Sequence, residues 1–114
     1  LHAHGPVIMF PLLRKYPVQI FNWHAWESLP EIGEAALLTG KCLMAGLERV
    51  DITEGHKNEI ERQIYETLRQ TGGRRIIVSP GCVIRYPLDR EMLSFVRKAK
   101  EEIEEKMFPK PKMK

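Results

Sequence analysis

Cysteine is scarce: Cys42 and Cys82 stand alone and far apart in the chain. Two cysteines cannot form the disulfide framework of a small secreted scaffold, so the reducing cytoplasm is the expected compartment. No apolar run approaches the roughly 18 residues that a membrane helix needs. A charged n-region with a cleavage site is also missing, so no signal peptide is expected. A basic stripe is missing too. The formal net charge is +3 and much of it sits in the C-terminal "KMFPKPKMK", which leaves no clustered face for nucleic acid. The first residue is leucine rather than methionine, as expected of a fragment or a processed product.

What remains is an ordinary globular profile. The chain has 114 residues, 43% apolar and 29% charged, enough for one small domain with its own core. Strand-like and helix-like segments alternate strictly. "LHAHG" reads as a first strand end, followed by a short helical stretch from Pro6 to about Tyr16. "VQIFNWHAW", "KCLMAGL" and "RRIIVSPGC" read as three further strands, rich in β-branched and aromatic residues or bounded by glycine. "SLPEIGEAALL" predicts a helix capped by Ser28 and Glu31. "HKNEIERQIYETLRQTGG" places Ile60, Ile64 and Leu68 on one stripe and ends at Gly72 and Gly73. "LDREMLSFVRKAKEEIEEKM" predicts a last helix with Met92, Phe95, Val96, Ala99 and Ile103 inward.

Alternating strands and helices predict parallel βαβ units. The expected fold class is α/β, with four βα units equivalent to half of a (βα)8 barrel, since a whole barrel needs about 250 residues. Residues 1–106 would form this half-barrel and residues 107–114 a basic, disordered tail. Such a half would bury its open surface against an N-terminal half-barrel or a second copy of itself.

Sites in parallel α/β folds lie at the C-terminal strand ends. Those ends carry "HAHG", "NWHAW", "AGLE" and "SPGC", which gathers His2, His4, His24 and Cys82 at one mouth. His2 and His4, two apart on a strand, project to the same side. With Cys82 they make a three-ligand set of the kind that holds zinc with one position open. The alternative is two polar barrel residues and an inert cysteine. His24, beside Trp23 and Trp26, is a candidate proton donor or a histidine packed on tryptophan. Arg85 and Tyr86 are candidates for a carboxylate or sulfonate, or plain rim residues. Cys42 reads as core and His56 as exposed.

From Leu1 to about Glu105 the chain resembles the C-terminal half of the uroporphyrinogen decarboxylase superfamily. The resemblance is carried by "LHAHG", "NWH", the glycine-bearing third strand and "RIIVSPGCVIRYP". It implies a (βα)8 barrel enzyme acting on a small molecule. One branch comprises zinc-dependent methyltransferases that move a methyl group between a corrinoid such as methylcobalamin, often on a partner protein, and a thiol such as coenzyme M. There a His-x-Cys-Gly strand end and a "PGC" cysteine bind zinc. His2 and Cys82 keep their identity in that match, and His4 replaces the first cysteine. The other branch, the porphyrinogen decarboxylases, tends to have "GHG" where this chain has "PGC", so the last turn is similar to the methyltransferase branch. At the same mouth His24 would act in catalysis, while Trp23, Arg85 and Tyr86 would contact substrate. Zinc held by two imidazoles and one thiolate keeps a net charge of about +1, which makes it a stronger Lewis acid than a dithiolate site.

Overall fold

The computed structural model describes residues 1–84 and 88–109. It is a mixed α/β structure built on a three-stranded parallel sheet. β2 (Cys42–Leu47) is central, flanked by β1 (Ile20–Asn22) and β3 (Ile76–Pro80). Asn22 pairs with Met44, which pairs in turn with Ile77, and Leu47 pairs with Pro80.

Alternation along the strands separates two faces. Phe21, Leu43, Ala45 and Leu47 are buried beneath the helices, while Ile20, Met44 and Ile77 on the other face are exposed. The Cα envelope measures 43 × 42 × 19 Å. Its short dimension matches one sheet plus one layer of helices, each roughly 10 Å thick. Parallel sheets are normally covered on both faces; here the described residues cover one.

The expected first strand is much reduced. His2 makes a single parallel bridge to Asn22. Ala3 N–H donates to the Asn22 carbonyl at 2.9 Å, and Asn22 N–H donates to the Leu1 carbonyl at 2.8 Å. Gly5, at φ +116°, then turns the chain where most side chains could not follow. Three strands and one bridge therefore stand where four strands were expected.

Helix α1 (Phe10–Leu13) is a single turn that buries only Phe10, shorter than the expected stretch from Pro6. Helix α2 (Ile32–Leu38) starts later than its capping pattern predicts. The Ser28 hydroxyl donates to the Gly5 carbonyl at 2.6 Å instead of capping the helix. A short helix, α3 (Arg49–Thr53), follows β2 and buries Ile52.

The two long helices match their periodicity. Helix α4 (Lys57–Thr71) buries Ile60, Ile64 and Leu68, and Gly72 caps it in the left-handed conformation at φ 65°. Each such side chain contributes about 1.5–3 kcal/mol. Helix α5 (Arg90–Met107) starts where Asp89 accepts the Glu91 N–H at 2.9 Å. Its Met92 and Ala99 are buried, with Phe95, Val96 and Ile103 packed on the same cluster. Helix α4 lies so close to β2 that a Cβ on Gly46 would fall 2.4 Å from Thr67 Oγ1. Among the described residues no helix is long and apolar enough to cross a membrane.

Candidate metal centre

The C-terminal ends of the strands bring His2, His4 and Cys82 together. One donor atom from each lies within 4.8 Å of the others. Zinc bonds of roughly 2.0–2.3 Å set tetrahedral donors about 3.5 Å apart, within reach of small side-chain rotations. Both histidines are exposed and Cys82 is half-buried, so a ligand can approach from solvent.

Asn22 orients this cluster. Its Nδ2 donates to the Met44 carbonyl of β2 at 2.5 Å and to the Pro80 carbonyl of β3 at 3.1 Å. Carbonyl oxygens only accept, so the amide nitrogen must face them and Oδ1 must face His2. Oδ1 lies 2.6 Å from His2 Nδ1, and the proton therefore resides on Nδ1. The lone pair is left on His2 Nε2, free for a metal. This is the outer-shell arrangement that metal-binding histidines generally have.

Gly81 brings the cysteine in. A Cβ there would meet His24 Cα and the Trp23 carbonyl oxygen, each at 2.6 Å. Only a residue without a side chain lets the turn after β3 lie against the backbone after β1. Cys82, the next residue, is thereby delivered to the two histidines. The "PGC" turn thus has a steric reason as well as a chemical one.

His24 forms the inner wall. Its ring stands edge-on to His4 at a centroid distance of 5.5 Å, and its Nδ1 is 3.5 Å from Glu27 Oε2. Burial pushes its pKa down, partly opposed by Glu27 and reinforced by Arg49, His4 and His2. Burial thus favours the uncharged ring. Its Nε2 has no partner among the described residues. Behind it lies Glu48, whose carboxyl burial pushes upward, aided by a hydrogen bond and charge repulsion from Glu27.

The remaining expected residues separate. Trp23 does not line this mouth. It is 1% exposed, stacks near Phe10 at 5.3 Å and donates its indole N–H to the Pro30 carbonyl at 3.1 Å, so it serves the core. Arg85 and Tyr86 lie outside the described residues. Cys42 is half-buried. His56 is exposed at the start of α4, 2.7 Å from Asp51 Oδ1. The sequence reading passed over Glu27 and Glu48. Glu48 closes the strand end "AGLE", a position where a carboxylate in a parallel α/β fold merits attention. A groove of about 480 Å³ lies elsewhere, between β3 and α5 along Ile77, Val78, Leu93 and Val96.

Comparison with protein-family models gives no match, and comparison with curated proteins gives none either.

Proposed function

We propose that this chain is the C-terminal half of a zinc-dependent (βα)8 enzyme of the uroporphyrinogen decarboxylase superfamily, of the type that transfers a methyl group between a corrinoid and a thiol. The observation that carries this reading is the convergence of His2, His4 and Cys82 within 4.8 Å at the ends of parallel strands. The bare sheet face with Met44 and Ile77 supports the half-barrel, which would close against an N-terminal half or a second copy.

The residues present fit zinc: two imidazoles, one thiol and an open fourth side. Zinc bound there would hold a substrate thiol as the thiolate, its nucleophilic form. Asn22 fixes the His2 tautomer so that Nε2 is the donor. Gly81 sets the position of Cys82. His24, beside His4, offers a lone pair or an N–H to the substrate at the inner wall. The one thiolate of this set leaves more positive charge on the metal than two would.

The test is metal analysis of protein purified without chelator, with cobalt substitution to report the thiolate. A cobalt–thiolate charge-transfer band in the wild type and its loss in Cys82→Ser would support the reading. A folded wild type that takes up cobalt without that band, or takes up none, would remove the zinc site. Porphyrinogen decarboxylation, which needs no metal, would then lead.

A further inference from the structure

A second group of donors lies behind the first. His24, Glu27 and Glu48 each place a donor atom within 4.8 Å of the other two. The His24 side chain is 5% exposed, and both its Nε2 and Glu48 Oε1 are buried without a partner among the described residues. A buried polar atom left this way is costly, and native proteins rarely tolerate it.

The charges pose the same problem. Glu27 and Glu48 place carboxylate oxygens within 4.8 Å of each other, and two carboxylates so close cannot both stay ionised at no cost without a cation or a shared proton. Among the described residues no lysine or arginine forms an ion pair with either of them. Arg49, whose field reaches His24, turns its guanidinium to the Val83 carbonyl at 3.4 Å instead. One imidazole and two carboxylates, their donor atoms within 4.8 Å of one another, make a ligand set of one nitrogen and several oxygens. Manganese, ferrous iron and zinc all accept such a set.

We propose that His24, Glu27 and Glu48 form a second divalent-cation site, chemically harder than the His2–His4–Cys82 cluster and sharing the His4–His24 wall with it. None of its donors belongs to that first cluster, so either site can fail without the other. Its position, with the open mouth on the far side of His4, suits a cation that neutralises the buried carboxylates and fixes His24 toward the substrate.

The probe is Mn2+, titrated into metal-free protein and followed by loss of the free-ion electron paramagnetic resonance signal. Wild type and Cys82→Ser should each bind one Mn2+ per chain and release protons on binding. Glu27→Gln combined with Glu48→Gln should weaken binding by about tenfold or more while keeping the cobalt–thiolate band of Cys82. If circular dichroism finds the double variant unfolded, Glu48→Gln alone takes its place. Absence of Mn2+ binding by wild type would mean that the carboxyls merely share a proton, and would overturn the site. Equal binding by the carboxamide variant, or loss of binding in Cys82→Ser, would overturn it as well.

Discussion

Asn22 Oδ1 accepts the Nδ1 proton of His2 at 2.6 Å, because both hydrogens of the Asn22 amide are engaged by strand carbonyls. One side chain thereby reads the positions of β2 and β3 and sets the tautomer of a histidine. Replacing it should separate metal affinity from fold. Asn22→Ala is expected to weaken zinc binding by about 10–100-fold, measured by competition with a chromophoric chelator. Helix content by circular dichroism should persist, since helices α1 to α5 lie outside this contact.

Gly81→Ala tests the delivery of Cys82. The added methyl meets backbone atoms at 2.6 Å, which cannot rotate away. Overpacking of this kind costs about 1–3 kcal/mol, and urea denaturation should register it. The same variant should also lose thiolate-coordinated metal. Wild-type stability with intact metal binding would contradict the close approach.

Glu48→Gln addresses the buried carboxyl pair in metal-free protein. A carboxyl whose folded pKa is raised penalises folding above that pKa, and the penalty disappears as pH falls toward the unfolded value. The variant should therefore melt higher than wild type at pH 7, with the gap closing near pH 4. A lower melting temperature at pH 7 would argue against repulsion between Glu27 and Glu48.

His56 has the opposite sign. Its hydrogen bond to Asp51 raises its pKa; desolvation opposes this, and the charges of Glu54, Asp51 and Glu59 add to the rise. The stabilisation is complete below the ordinary histidine value of about 6.5 and is lost as pH rises through the folded value. His56→Gln should lower the melting temperature slightly at pH 5 and leave it unchanged at pH 9. The effect should be small and should shrink with added salt, because the pair is exposed.

The long helices were legible in the sequence because their stripes are strong. Ile60, Ile64 and Leu68 repeat at helical spacing before a paired glycine, and Met92, Phe95, Val96, Ala99 and Ile103 form a like stripe on α5. Helix α3 left no comparable mark: in five residues it buries only Ile52. The start of α2 was misplaced because the Ser28 hydroxyl has a tertiary partner in Gly5, which local pattern cannot reveal. The grouping of His2, His4 and Cys82 was legible through the rule that strand ends gather. Trp23 was not, since an aromatic residue after a strand reads alike whether it turns to the mouth or to the core. Glu27 and Glu48 are distant in sequence and meet only because β2 ends beside the loop after β1.

The ties of Asn22 have a further consequence. Its amide spans three neighbouring segments at once, residues 1–3, β2 and β3, through His2, Met44 and Pro80. A slip in any one of these rows would misdirect the His2 lone pair. An ion captured by His2 and Cys82 would rivet the first segment of the sheet to the last, across the whole width of the strands between. Loading that rivet should slow amide exchange along β1 and β3 together, and a chelator should release both edges in concert.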